Sequence, residues 1–205
     1  MKKEFKHIFE PFTVRRMTVK NRIMMTPMGT NYAEQNGEMS FLHINYYEQR
    51  AKGGTGLIMV ENASVNSPEG SNGTTQLRID HDNYIPRLFK LTETIHKHGT
   101  CIGIQLNHAG ASAQSARTNM QPVSASNIPS KEGGEIPRPL EKEEILRIVK
   151  NTGKRQSVPR QPDLTVLRST PATLICSASS SLLLRTKGQM NSAVRQRTER
   201  VLHGL

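Results

Sequence analysis

The chain has 205 residues and a formal net charge of +11, carried by 28 basic and 17 acidic side chains, a length that fits one or two domains and allows a substantial core. Two cysteines are too few for a disulfide framework, and the lysines near the amino terminus are followed by no apolar run, so we expect no secretory signal. No segment approaches the roughly 18 apolar residues of a membrane span, and we therefore expect a cytoplasmic protein without a membrane partner.

The amino-terminal quarter predicts a hairpin, a strand and a helix. Two β-prone runs, residues 9–14 and 17–19, flank a pair of arginines, which is typical of a short hairpin. Residues 21–26 are predicted to form a short buried strand. Ser40 is a candidate N-cap for a helix over residues 41–52. The expected inner face of that helix carries Leu42, Tyr46 and Ala51.

The middle of the chain repeats the order of strand and helix. Residues 56–60 form an apolar run typical of a strand buried on both faces of a parallel sheet. Residues 84–97 predict a second helix, residues 101–106 the next strand, and residues 141–149 a third helix. The second helix has apolar side chains at helical spacing, namely Ile85, Leu88, Leu91 and Ile95. This alternation predicts an α/β fold built from right-handed βαβ units.

The ends of the predicted strands are the first place to look for a binding site, because ligands gather at the carboxyl ends of parallel strands. The three strands end in residues 26–30, 61–63 and 105–110. These segments offer carbonyls, amides and small residues, and we expect no charged cluster, metal site or nucleophile–base pair among them. Such a set suits a flat, uncharged heterocycle with amide-like edges.

Five short motifs carry a resemblance to a known family. In chain order they are Phe9-Glu10-Pro11-Phe12, Val19-Lys20-Asn21-Arg22-Ile23, Pro27-Met28-Gly29-Thr30-Asn31-Tyr32, residues 54–61, and Gln105-Leu106-Asn107-His108-Ala109-Gly110. Over residues 5–153 the chain resembles the Old Yellow Enzyme family. Within that family it looks most similar to the branch of NADH:flavin oxidoreductases, 2,4-dienoyl-CoA reductases and bile-acid-type enoate reductases.

The resemblance implies that residues 1–153 are the amino-terminal part of an FMN-binding TIM barrel, a (β/α)8 fold of which they supply about three to four βα units. It also implies an oxidoreductase in which NADH or NADPH reduces FMN and the flavin passes a hydride to a small activated alkene. The residues expected to line the flavin ring are Thr26, Pro27, Met28, Gly29, Asn62 and Gln105. Asn62 stands where family members usually have Ala or Gly, and Gly29 stands where some carry a redox-tuning Cys. The Gln105 carboxamide can donate and accept hydrogen bonds at the amide-like edge of the ring, whereas His108 is expected to be structural.

The family binds its substrate with a pair of histidines that follows the fourth strand. This chain has no recognisable fourth strand, so we expect no catalytic residue in it. An iron–sulfur cluster and FAD would belong only to a full-length version of the protein, since no cysteine cluster for such a centre is present.

Residues 154–205 differ from the rest of the chain. They hold nine basic and two acidic side chains, or +7 of the net charge, and they resemble nothing in the family. Yet codons permitted for residues 167–174 encode, read one base earlier, E-I-H-A-G-H-A, which is the family's histidine motif. The same shift over residues 185–193 permits a second family stretch, N-K-R-T-D-E-F-G-G. We therefore expect a frameshift from a one-base deletion near codon 154, a disordered and aberrant tail, and a truncated chain that is itself inactive.

Two other functions remain open. A standalone flavin- or nucleotide-binding fragment would retain FMN without oxidising NADH. A basic nucleic-acid-binding protein would show steeply salt-dependent binding, but the tail has neither aromatic residues between its charges nor an amphipathic period. We therefore expect no nucleic-acid partner.

Overall fold

The computed structural model describes residues 3–14 and 17–156, with the side chains of residues 5–14 and 17–154. The helices and strands, in chain order, are β1 Phe12–Val14, β2 Met17–Val19, β3 Met24–Met25, α1 Phe41–Lys52, β4 Leu57–Ser64, α2 Ile85–His96, β5 Cys101–Asn107, α3 Ser115–Thr118, β6 Val123–Ser124, β7 Arg138–Pro139 and α4 Lys142–Gln156. Almost all of the predicted tail, with its expected disorder, lies outside the described residues.

The predicted amino-terminal hairpin is confirmed. β1 and β2 pair antiparallel, with Phe12 opposite Val19. Val19 is fully buried. The next residue, Lys20, donates from Nζ to the carbonyl of His98 at 2.6 Å and to Oγ1 of Thr100 at 3.1 Å. The hairpin is therefore tied to the segment that leads into β5.

A three-stranded sheet in the order β3-β4-β5 carries the βα units. β3 and β4 are parallel, with Met24 opposite Leu57. The strand predicted over residues 21–26 is wrong in length and burial, since two residues pair and Met24 remains 47% exposed. β3 is an edge strand of the described three-stranded sheet, so it has a neighbouring strand, β4, on one side only. β4 instead runs past its predicted end at residue 60 to Ser64.

The first helix has the predicted bounds but a different buried face. The Ser40 hydroxyl accepts a hydrogen bond from the backbone N–H of His43 at 3.0 Å, which caps the helix. Leu42, predicted to face inward, is 59% exposed. The buried side chains of α1 are His43, Ile44, Tyr47 and Ala51. A prediction from apolar positions alone misplaces the buried face of α1, because His43 and Tyr47 carry polar groups that hydrogen-bond to buried Glu61.

The second helix and the third strand of the sheet agree with the sequence prediction to within one residue at each end. α2 covers Ile85–His96 and buries Leu88, Leu91, Thr92 and Ile95. It contacts α1, and the guanidinium of Arg87 lies 4.3 Å from the ring centroid of Phe41. β5 covers Cys101–Asn107, and its inward residues are buried.

The chain divides into two compact units. Among the described residues, the first unit comprises those up to Ala63 together with Thr75–Gln105 and Gln156, and the second comprises Ser64–Thr74 and Leu106–Arg155. The largest fully buried apolar side chains of the first unit are Tyr47, Met39, Ile58, Leu77, Ile79, Leu91, Ile95, Ile102, Ile104 and Val19. The second unit packs Ile145 against buried Val123, Leu140 and Ile148. No helix in the described part of the chain is long and apolar enough to cross a membrane.

The last helix extends further than the sequence predicts. α4 covers Lys142–Gln156, whereas the sequence predicts residues 141–149. Thr152 is buried, and its hydroxyl donates to the carbonyl of Ile148 at 2.8 Å. This hydrogen bond within the helix satisfies the hydroxyl group of threonine, a residue type with low helix propensity. α4 continues beyond residue 153, where the sequence predicts a domain boundary. That boundary stays a prediction.

Candidate cofactor-binding site

The six residues predicted to contact a flavin ring all belong to the first unit. Residues 26–29 follow β3 directly, Asn62 lies near the end of β4, and Gln105 lies near the end of β5. We call residues 26–30 the β3 turn. Because β3 and β4 are parallel, their carboxyl ends meet at one edge of the sheet, where ligands bind in this class of fold.

Backbone hydrogen bonds align β5 with β4. The N–H of Cys101 donates to the carbonyl of Gly56 at 2.9 Å, at the beginning of both strands. The N–H of Val65 donates to the carbonyl of Asn107 at 3.1 Å, just past the end of β4. The two strands therefore run in the same direction, and Gln105 lies at the same edge of the sheet as Asn62.

Gly29 and Asn62 approach each other closely at this edge. A Cβ atom added to Gly29 would lie 3.2 Å from Oδ1 of Asn62, which is tighter than an ordinary van der Waals contact. Asn62 is half-buried, and its carbonyl accepts a hydrogen bond from the Gln76 side chain at 2.9 Å. Its own carboxamide makes no hydrogen bond to another described residue. The side chain of Asn62 thus fills the space that a side chain at position 29 would need.

The other predicted residues form an open surface. Met28 is 58% exposed, and Thr26 and Gln105 are also exposed. The Gln105 carboxamide, like that of Asn62, has no hydrogen-bonding partner among the described residues. The carboxamides of Asn62 and Gln105, near the ends of adjacent strands, and the methionine and proline of the β3 turn provide hydrogen-bonding edges and apolar surface at one edge of the sheet. A planar, amide-edged ring such as the isoalloxazine of FMN fits this donor set.

A buried polar cluster lies directly behind the β3 turn. Oε2 of Glu61 accepts hydrogen bonds from the backbone N–H of Thr30 at 2.9 Å and from its hydroxyl at 2.7 Å. His43 Nε2 lies 2.9 Å from the same oxygen. The Tyr47 hydroxyl accepts a hydrogen bond from the backbone N–H of Glu61 at 2.9 Å. We call Thr30, His43, Tyr47 and Glu61 the Glu61 cluster.

The Glu61 cluster keeps its carboxyl group ionised. Burial alone raises the pKa of Glu61, but the hydrogen bonds from His43 and Thr30 outweigh burial, so this pKa lies below its ordinary value. Burial raises the pKa of the Tyr47 hydroxyl, which stays neutral. The His43 ring stacks on the Tyr47 ring with their centroids 5.3 Å apart. The cluster is therefore a single buried anion held by neutral donors and a histidine.

Sequence reasoning missed this cluster, because we expected no charged cluster at the strand ends. Glu61 is nevertheless 1% exposed and His43 is 0% exposed. The signal was available: Glu61 interrupts the apolar run that forms β4, and His43 and Tyr47 are spaced one helical turn apart on α1. A charged residue at the end of a strand buried on both faces requires partners, and the neighbouring helix supplies them.

In the second unit, His108 has a structural environment. It is 8% exposed, and its Nδ1 accepts a hydrogen bond from the backbone N–H of Gly110 at 3.2 Å. A Cβ at Gly70 would lie only 2.6 Å from the imidazole ring, so the backbone packs directly on it. Burial lowers the pKa of His108, which favours the neutral ring. These observations favour the structural interpretation of His108.

Two further expectations concern a metal site and the substrate-binding pair of histidines. Among the described residues, no three His, Cys, Asp or Glu side chains are placed to hold a metal ion. The substrate-binding histidine pair, expected to be encoded out of frame within residues 167–174, lies outside the described residues. The described part of the site is therefore limited to the surface that would face a flavin ring.

Comparison with known proteins identifies the family to which the chain is similar. A profile of the NADH:flavin oxidoreductase / NADH oxidase family matches residues 7–154. The chain is 40% identical over 146 residues to an NADH oxidase of Thermoanaerobacter brockii, a match that covers 71% of this chain and 22% of that protein. It is 34% identical over 142 residues to an NADPH dehydrogenase of Clostridium acetobutylicum, covering 69% of this chain and 41% of that protein.

A solved structure extends the comparison to the fold. The Old Yellow Enzyme homologue from Zymomonas mobilis superposes with a TM-score of 0.64 at 28% identity, over 72% of this chain and 43% of that one. The parallel strands and their helices are therefore a portion of a TIM barrel, as the sequence predicts. The chain spans between about a fifth and two fifths of the length of the curated relatives it matches.

Proposed function

The chain belongs to the NADH:flavin oxidoreductase / NADH oxidase family, and from this premise we propose that its described part is the flavin-facing portion of an FMN-dependent oxidoreductase. NADH or NADPH would be the reductant, and a small activated alkene would be the substrate. The observation that supports this proposal most directly is the pair of free carboxamides, Asn62 and Gln105, beside the exposed β3 turn at one sheet edge.

Each proposed contact follows from what the residues can do. Gln105 and Asn62 can each donate and accept a hydrogen bond, which matches the alternating carbonyl and N–H groups of a flavin's pyrimidine edge. Met28 and Pro27 offer apolar surface to the face of the ring, and Gly29 lets the chain approach it closely. Bound FMN would supply the hydride transfer, from the nicotinamide to the alkene. The protein's part in this region is to hold the ring and exclude water from it.

We further propose that this particular chain does not complete the reaction. The family match ends at residue 154, and the two family motifs permitted by a shifted frame both fall beyond it. A one-base deletion near codon 154 accounts for both observations. The iron–sulfur cluster and FAD belong to this proposal only for a longer version of the protein. The relatives differ in length, as shown by the matched region, which covers 22% of one and 41% of another.

A direct test combines sequencing with a cofactor assay. Resequencing the gene from independent template through the codons for residues 152–156 is expected to reveal one missing base. Purified chain, mixed with FMN and NADH or NADPH, is expected to show no turnover with an enone or enoate. A frame-restored product is expected to bind FMN stoichiometrically and to reduce the alkene. Turnover by the chain itself would refute its proposed inactivity, and a frame-restored product without flavin would refute the proposed function.

A standalone flavin-binding fragment is the second candidate. It is favoured by the position of all six predicted ring contacts within the first unit, which packs its own apolar core. Retention of FMN by the purified chain without NADH oxidation, together with resequencing that finds no missing base, would identify this function. A cytoplasmic location and the absence of a nucleic-acid partner stay predictions from the sequence.

A further inference from the structure

The Glu61 cluster includes one residue of the β3 turn, Thr30. Two of the three close donors to Glu61 Oε2 come from Thr30, namely its backbone N–H and its hydroxyl. Thr30 follows Gly29 and ends the β3 turn. The Glu61 carboxylate therefore holds the backbone of the β3 turn, at Thr30, as well as the buried side chain of His43.

The segment between β3 and α1 needs such an anchor. Residues 26–40 contain no helix or strand, so the β3 turn lacks a ladder of its own. Asn31 has a φ of 57°, in the left-handed region that a non-glycine residue adopts only when its surroundings hold it there. Beyond the Glu61 contacts, the carbonyl of Asn31 accepts a hydrogen bond from the Thr75 hydroxyl at 3.0 Å. Other hydrogen bonds hold the part of the segment after Thr30, among them the one from the Ser40 hydroxyl to the carbonyl of Tyr32 at 2.5 Å. Within the β3 turn itself, the described hydrogen bonds all involve Thr30.

The chemistry of the anchor depends on a carboxylate. An ionised carboxyl group is acceptor-only, and one oxygen can receive several donors at once. A carboxamide of the same shape has one carbonyl oxygen and replaces the other with a donor. Charge-assisted hydrogen bonds are also about twice as strong as neutral ones. His43, at 2.9 Å, fixes the same oxygen from the α1 side.

We propose that Glu61 and His43 are positioning residues that hold the β3 turn in the conformation that receives the flavin ring. The effect on flavin binding rests on the proposed function, whereas the effect on the turn does not. Tyr47 belongs to the same cluster; its hydroxyl accepts from the backbone N–H of Glu61 at 2.9 Å and donates only a long hydrogen bond, at 3.4 Å, to Oε2. It provides a comparison, because Tyr47→Phe removes these two buried hydrogen bonds but leaves both Thr30 donors and His43 in place.

The test uses the full chain and two readouts. The first is the exchange rate of the Thr30 amide proton, followed by NMR without cofactor. Glu61→Gln is expected to raise this rate at least tenfold, a change of about 1.4 kcal/mol in protection, while Tyr47→Phe leaves it close to the unmutated value. The second readout is FMN affinity by flavin fluorescence, which Glu61→Gln is expected to weaken about tenfold.

Thr30→Val keeps the test informative if Glu61→Gln fails to fold. Valine has the shape of threonine but lacks the hydroxyl that donates to Glu61. It is expected to weaken FMN binding about threefold, less than Glu61→Gln, because the backbone N–H of Thr30 still donates to the carboxylate. Equal exchange of the Thr30 amide in the unmutated and Glu61→Gln chains, or equal effects of Glu61→Gln and Tyr47→Phe, would overturn the proposal. A protected Thr30 amide in a chain that binds no FMN would instead overturn the proposed function alone.

Discussion

Replacing His43 by leucine is expected to destabilise the first unit in a pH-dependent way. In the unmutated chain the pKa of Glu61 lies below its ordinary value of 4.5, so ionised Glu61 stabilises the fold above that pH. This contribution is lost as the pH falls through the lower folded pKa. Leucine removes the His43 donor, and burial, the largest influence on this carboxyl group, then raises its pKa. The stability difference between the two chains therefore grows as the pH rises above about 4.5.

The expected loss at neutral pH is large. Removing one donor to a buried carboxylate costs about 1–3 kcal/mol or more, because the acceptor is charged, and the side chains of His43 and Glu61 are 0% and 1% exposed. Both Thr30 donors remain in the variant, which limits the expected loss to about 3 kcal/mol. Leucine is similar in size to histidine, so the cavity contribution is small. Such a loss is a large share of the roughly 5–15 kcal/mol that stabilises a typical domain.

Urea unfolding followed by circular dichroism, at neutral pH and at about pH 4.5, measures the effect. His96→Leu is the control, because it makes the same exchange near the end of α2 at a residue that is not fully buried. The control is expected to change the free energy of unfolding by less than about 0.5 kcal/mol. A His43→Leu loss that is the same at both pH values, or no larger than that of the control, would refute the electrostatic account of the cluster.

Three further substitutions test other parts of the fold. Leu91→Ala removes a side chain that is 1% exposed and is expected to cost about 2–5 kcal/mol in urea unfolding. Gly29→Ala brings a Cβ to 3.2 Å from Oδ1 of Asn62, so it is expected to cost about 1 kcal/mol, and a double-mutant cycle with Asn62→Ala should recover most of that loss. Hydrogen bonding by Arg138 lowers the pKa of Glu144 to about 2, and Arg138→Ala should return the carboxyl 13C titration of Glu144 towards its ordinary range.

Much of the fold could be predicted from the spacing of apolar residues and from the residues that mark the ends of helices. The helix over residues 41–52 is marked by an N-cap serine and by two glycines, and the structure has the same bounds. The strand at residues 56–60 was predicted too short, because a charged residue at position 61 ended the apolar run. β4 continues through Glu61 to Ser64, since tertiary partners satisfy the carboxylate. Local sequence cannot show those partners.

The site was predictable in part. The resemblance placed six residues at strand ends, and the structure brings Gly29 and Asn62 into close approach at that edge. Their contact with FMN stays a prediction. The sequence indicates that Glu61 needs buried partners, but it does not show that one of them is Thr30 of the β3 turn, because this contact joins residues 31 positions apart. Long-range pairs of this kind depend on how helices pack on a sheet.

The charge of the proposed ring contacts leads to a last prediction, about ligand preference. All six are uncharged, so in this chain they can recognise the isoalloxazine ring but cannot neutralise a phosphate. Riboflavin and FMN are therefore expected to bind the purified chain with dissociation constants within about threefold of each other, whereas a full charge-assisted phosphate contact is worth about 1.5–3 kcal/mol. Titration of each ligand by flavin fluorescence at two salt concentrations measures the difference. FMN binding that is more than tenfold tighter and falls steeply with salt would show that cationic residues of this same chain hold the phosphate.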